Sequence, residues 1–259
     1  MKGNPFNEPM ALENCALHWS EKEGLTAAEE TARSDPFLFE THAAFREMVL
    51  QTGFSCIGAK AAFHDRAYGF ATYSILGSTQ STAGLCRDLY HFAQSEIVRQ
   101  SEYATLVTVF RNPLDIDEPT FEQLLWEQLF ELHTADKAHF AWDSSVSADP
   151  GDPQFSFSFA GCAFYVIGMH DRSSRIARRF PWPALIFNPH EQFERLRTDG
   201  KWKKMQKAIR AREMILQGSV NPMLSDFGEQ SEARQYSGRP VAEDWTPPMP
   251  NGGGKCPFH

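Results

Sequence analysis

The chain has 259 residues, 42% hydrophobic and 13% aromatic, enough to bury one sizeable core. A formal charge of -8 and a pI near 5.6 exclude sequence-independent nucleic-acid binding, which needs a broad basic surface. No apolar run approaches the ~20 residues of a membrane span, no secretory leader pattern is evident, and five irregularly spaced cysteines form neither a disulfide framework nor a zinc ribbon, so a soluble cytoplasmic protein with free thiols is expected.

The first 33 residues carry no strong periodicity and are set apart as an N-terminal extension to a domain over 34–259. Asp35 and Pro36 then form an N-cap and first helical position for "DPFLFETHAAFREMVLQ", which stops at Gly53. The stretch "FSCIGAKAAFHDRAYGFATYSILG" opens on a plausible helix and ends in strand-like alternation. Ser78 or Thr79 caps a single predicted helix, "STQSTAGLCRDLYHFAQSEIVRQS", in which Leu85, Leu89, Phe92 and Ile97 recur at roughly helical spacing. A buried strand, "YATLVTVF", and an amphipathic helix, "DEPTFEQLLWEQLFELHTAD", follow. After the polar loop "SSVSADPGDPQ", the run "FSFSFAGCAFYVIG" reads as one strand, half-buried and then fully buried. "PALIFNP" is a further strand, and "HEQFERLRTDGKWKKMQKAIRAREMILQG" is helical with a break near Gly200. The last segment, 218–259, is an irregular arm whose Met223, Leu224, Phe227, Tyr236, Trp245 and Phe258 offer anchors, so it is expected to wrap the domain, with "PPMPNGGGK" mobile. The fold class is α+β (or α/β): one domain, a mixed central sheet, helices packed on it, and the long arm.

Against the acidic background, "GMHDRSSRIARRF" concentrates His170, Arg172, Arg175, Arg178 and Arg179 just after a strand. If the segment is helical, Arg172, Arg175 and Arg179 share a face with Arg178 beside them. Guanidinium forks suit carboxylates, while salt bridges to the 33 acidic residues are the plainer alternative. Cys56 lies just before a helix, where backbone N–H groups stabilise a thiolate. Cys256 stands in "KCPF" after a run of glycines. The chain has no GxGxxG opening a helix after a strand, no P-loop, no GxSxG elbow and no HExxH zinc motif.

The stretches "FYVIGMHDRSSRIARRF", "ALIFNPHEQFERLR", "IRAREMILQGSVNPMLSDFGEQSEARQYSGR" and the terminal "CPF" closely resemble the YqcI/YcgG family, and in it the branch of haem-dependent guanidine N-hydroxylases. The resemblance runs from about Phe54 onward. It implies bound haem b, dioxygen, a small guanidine substrate such as L-arginine or a cyclic guanidine, and a separate electron-donating reductase. A homodimer stays open.

On this reading the arginines hold the haem propionates, and His170, Cys256 and Cys56 compete, in that order, for the iron. The few residues that Cys56 shares with the cysteine loop of cytochromes P450 are read as chance. Asp226, Glu232 and Tyr236, with Glu229 and Phe227 nearby, are the acid and aromatic groups suited to a guanidinium. The other classes are a haem sensor or carrier without oxygenase activity, and a haem-free member that binds an anionic metabolite.

Overall fold

Side-chain caps start most of the long helices where the sequence places them. In the computed structural model, which describes residues 3–223, 227–248 and 258, the chain order is α1 (Pro9–Asn14), β1 (His18–Glu21), β2 (Gly24–Ala27), α2 (Pro36–Leu50), α3 (Ile57–Asp65), β3 (Tyr68–Ile75), α4 (Thr79–Ala93), α5 (Glu96–Gln100), β4 (Thr105–Asn112), α6 (Glu118–Asp136), β5 (Phe157–Phe159), β6 (Cys162–Met169), β7 (Ala184–Pro189), α7 (His190–Thr198) and α8 (Trp202–Gln217). The Asp35 carboxylate accepts from Leu38 N–H at 3.1 Å to open α2. Ser78 Oγ accepts from Ser81 N–H at 3.3 Å to open α4, and Asp117 caps α6.

The sheet order is β2-β1-β3-β4-β7-β6-β5. Only β3 and β4 run parallel; the other neighbours are antiparallel. This is the predicted mixed α+β architecture.

Three local expectations are corrected. The helix predicted to continue past Gln94 breaks, and α5 starts anew with Ser95 as its own cap. The run "FSFSFAGCAFYVIG" is a hairpin, not one strand: Ala160 and Gly161 take positive φ of 54 and 71 between β5 and β6. Ser156 and Ser158 are fully buried, so the serines do not mark a solvent face. The arginine segment forms only a three-residue 3-10 turn, Ile176–Arg178, in place of a helix, because the Ser173 hydroxyl accepts from Arg175 N–H, Ser174 donates across the fold to Glu118, and Arg175 is extended at the start of the turn.

Alternation along the strands fills two different interiors. On one face, Leu106, Phe164, Val166, Leu185 and Phe187 pack against Leu85, Leu89 and Phe92 of α4 and Phe121, Leu125 and Trp126 of α6. On the other, Phe70, Val107, Met169 and Ile186 meet Phe37, Phe45 and Phe63 of α2 and α3. Gly168 belongs to the first face, where a Cβ would meet Phe121 and Leu125 at 2.7 Å and the Tyr236 carbonyl at 2.8 Å.

The first 33 residues join the same sheet: β1 pairs with β3, and α1 lies on α4. Asp88, buried in α4, accepts from Ala16 N–H and from the Tyr73 hydroxyl, each at 2.7 Å. Gly84 lies so close to α1 that a Cβ would overlap the Asn14 carbonyl. At the other end, Tyr236 and Phe258 are buried and Trp245 packs on Trp126 at 6.0 Å, so the arm wraps the first face as expected. Leu224 and residues 249–257, which hold most of "PPMPNGGGK", lie outside the described residues.

Candidate functional site

Beyond Phe45 and Phe63, the second face of the sheet is not filled. It opens into a cavity of about 250 Å³. Val107, Tyr165, Ile167, Met169 and Ile186 of the sheet form its floor, and Phe45, Cys56 and Phe63 one wall. Phe193 and Leu196 of α7, with Trp202, Met205 and Ile209 of α8, form the opposite wall, and the arm contributes Phe227, Glu232 and Gln235. The lining is mainly apolar with a few convergent polar groups, the usual make-up of a small-molecule site. No residue of α8 is buried, because the apolar stripe of this helix fronts the cavity and not a packed core.

Cys56 is the N-cap of α3 and faces this space. Its Sγ accepts from Ala59 N–H at 3.3 Å. Burial pushes the thiol pKa up, while the Ala59 and Gly58 N–H groups and the Arg178 charge pull it back. The free side chain is therefore a thiol at neutral pH, with the donors that favour a thiolate already in place.

The arginine stretch divides. Arg178 lines the cavity, but its guanidinium donates to the carbonyls of Gly168 (2.9 Å), Tyr236 (3.3 Å) and Gln235 (3.2 Å), which pins the arm to β6. Arg175 holds Glu213 at 3.4 Å and the Ser219 carbonyl at 3.2 Å, which ties down the end of α8. Arg172 pairs with Asp115 on the surface at 2.8 Å, and Arg179 Nε donates to the Ser173 carbonyl at 2.7 Å. Three of the four thus serve as staples away from the cavity. Within it, Arg210 of α8 has no hydrogen-bond or ion-pair partner among the described residues.

His170 does not line the cavity. It is fully buried on the opposite face of the sheet, its ring stacked on Phe121 at 4.5 Å, and burial lowers its pKa so that it is neutral. Of the iron-ligand candidates, Cys56 faces the cavity, His170 lies behind the sheet, and Cys256 lies outside the described residues. The described cysteines Cys15, Cys56, Cys86 and Cys162 are all free thiols.

Among the predicted substrate acids, Asp226 lies outside the described residues, and Glu229 does not line the cavity. Glu232 does. Its Oε1 accepts from Ser156 Oγ at 2.7 Å and from the Tyr236 hydroxyl at 2.6 Å, and its Oε2 lies 3.9 Å from His190 Nδ1. Burial pushes its pKa up to about 8, so it holds a proton at neutral pH until a cation approaches. Tyr236 itself stays on the packed face, stacked on Trp126 at 5.7 Å, and supports Glu232 from behind. Phe227 lies 4.5 Å from the His190 ring, and Arg197 stands over both Trp202 and Phe227. Sequence reasoning missed His190, Phe193, Trp202 and Arg210; the signal was the apolar spacing Trp202, Met205, Ile209 in a helix otherwise rich in lysine.

Among the described residues no cluster of three or more His, Cys, Asp or Glu is placed to hold a metal ion, and no helix is long and apolar enough to cross a membrane. Residues 45–259 match the YqcI/YcgG family. No curated protein and no solved structure matches the chain.

Proposed function

We propose, on the premise that the chain belongs to the YqcI/YcgG family, that it is a haem-dependent monooxygenase that places a hydroxyl group on the nitrogen of a small guanidine. The observation that carries this reading is the meeting, in one mainly apolar cavity, of a helix-capping thiol, Cys56, and a buried carboxyl, Glu232. The residues present fit haem b. Mainly apolar walls suit a porphyrin, Cys56 would be a sulfur ligand whose thiolate the Ala59 N–H supports, and Arg210 would be a cation available to a propionate. When bound, a thiolate-ligated haem supplies activation of dioxygen.

The protein's own part is to bind and orient. Glu232, ionised by the approach of a cation, accepts from two N–H groups of a guanidinium in one plane, and Tyr236 and Ser156 hold its carboxyl in position. The rings of Phe227 and Trp202, over which Arg197 already stands, keep water away. The proton that Glu232 carries in the free protein leaves to solvent as the substrate binds.

The test is spectroscopic first. Purified with haem supplied, the protein is expected to be red, and its ferrous carbon monoxide complex to absorb at roughly 450 nm, as thiolate ligation requires. Cys56→Ser should lose that band. With a reductase system, mass spectrometry should find one added oxygen atom on a member of a panel of free guanidine, arginine, homoarginine and cyclic guanidines. A colourless protein, or a red one that leaves every guanidine unchanged, overturns the proposal.

A further inference from the structure

The two sides of α8 carry different chemistry. Trp202, Met205, Ile209 and Arg210 turn to the cavity. The other stripe, Lys203, Lys204, Lys207, Ala211, Met214 and Ile215, is exposed, with Ile215 at 85% the most exposed large apolar side chain described. None of the three lysines has a hydrogen bond or ion pair among the described residues. Between Lys201 and Arg212 the chain has no acidic residue, although its formal net charge is -8.

Folding alone does not explain this stripe. The first turn of α8 holds no acid and Lys201 gives it no side-chain cap, so Lys203 and Lys204 sit at the end of the helix dipole that repels cations, with Lys207 one turn further on. An acidic surface laid against them removes that repulsion. The exposed Met214 and Ile215 beside the lysines add the small apolar spot of a transient protein contact.

We propose that the outer stripe of α8 is the docking face for an acidic one-electron carrier protein. The inference rests on the oxygenase reading for its purpose. Placing one atom of dioxygen in an N–H bond sends the other out as water and consumes two electrons and two protons; the carrier supplies the electrons in two single steps and is itself oxidised twice. A carrier seated there stands across one helix, about 10 Å in width, from the side chains that wall the cavity. Complementary charge raises the encounter rate and makes the contact salt-dependent.

The test uses the full chain, purified with haem supplied, and a plant-type 2Fe–2S ferredoxin as the acidic carrier, with binding followed by calorimetry. Binding at low salt is expected to weaken about tenfold or more, both at raised salt and in the variant carrying Lys203→Glu, Lys204→Glu and Lys207→Glu together. Glutamates at a helix start favour the helix, so far-UV circular dichroism and the haem spectrum should stay as in the unmodified protein; if that variant fails to fold, the same comparison with glutamines decides. Ile215→Asp should weaken binding less than the charge reversal.

Because binding is read without turnover, the two readings fail separately. A protein that takes up no haem yet loses ferredoxin on charge reversal refutes the oxygenase and keeps the docking face. Guanidine hydroxylation with dithionite, but no ferredoxin binding or binding indifferent to the substitutions, overturns the docking face alone. It is also overturned if ferredoxin does not bind while vesicles of phosphatidylcholine and phosphatidylserine bind in a lysine-dependent way, which reassigns the stripe to an anionic membrane surface.

Discussion

Strand β6 borders two interiors that obey different rules. Phe164, Val166, Gly168 and His170 point to the α6 face, where even one added carbon at Gly168 has no room. Tyr165, Ile167 and Met169, one residue out of step, point to a cavity walled by a helix with no buried residue. Density on the first face is what a packed core needs. Openness on the second forgoes burial of Trp202, Met205 and Ile209 and leaves it to a ligand. Stability and ligand retention should therefore respond to different substitutions.

The sharpest way to break this contrast is to remove one large side chain from each face. Trp126→Ala, on the packed side, should destabilise the protein by about 3–5 kcal/mol in denaturant titration. Ile209→Ala, facing the cavity, should cost under about 1 kcal/mol without ligand and show its main effect in ligand retention. Equal losses at the two positions would mean that the cavity is itself a packed core.

Next in size is Gly168→Ala. The Tyr236 carbonyl cannot rotate out of the way as a side chain end can, so overpacking should cost about 1–3 kcal/mol. Limited proteolysis should then cut the arm near Tyr236 sooner than in the unmodified protein, since the Gly168 N–H donates to that same carbonyl at 2.7 Å.

A smaller effect separates the faces by pH. Burial lifts Glu232 to about 8 and Asp88 and Asp136 to about 7, so the folded protein keeps protons that the unfolded chain has shed, and these groups lower stability as pH rises through that range. His42 and His133, both lowered to about 4 by burial, act in the opposite sense, raising stability from pH 4 up to their unfolded value of 6.5. Above pH 6.5 the histidines no longer offset the carboxyls, and the thiols that burial raises, Cys15, Cys56, Cys86 and Cys162, add to the same trend near pH 8.5, so melting temperature should fall from pH 6.5 to 8.5. Glu232→Gln should flatten part of the slope, and a guanidine bound at Glu232 should do the same in the unmodified protein, whereas Asp88 and Asp136 should not respond to it.

Least of all should Arg172→Ala matter. Its partner Asp115 is exposed, and such pairs contribute within about 0.5 kcal/mol, so thermal melting and haem retention should both stay unchanged. A loss of haem on that substitution would restore the whole arginine cluster to the site.

What the sequence made legible was governed by local chemistry. Asp35, Ser78 and Asp117 start helices because a short oxygen-bearing side chain meets free N–H groups wherever the chain leads. The site was less legible because it depends on which side of a sheet a side chain falls. His170 and Arg178 lie in one stretch, yet β6 sends the histidine to the packed face, while the arginine returns to the cavity from the turn after it. Cys56 ranked last among the iron-ligand candidates because the sequence showed only its place before a helix; its exposure to the cavity needs β4, β6, α7 and α8, all distant in the chain, to close around it. The hairpin at Ala160–Gly161 was hidden because buried serines imitate a solvent-facing alternation.

Gly84 has a consequence for truncation. The family match begins at residue 45, so the segment holding α1 lies outside it, yet that segment rests on a helix position where no side chain fits beneath the Asn14 carbonyl. Gly84→Ala should therefore push α1 off α4 in the full chain, whereas in a chain shortened to begin after α1 the same substitution meets no such clash.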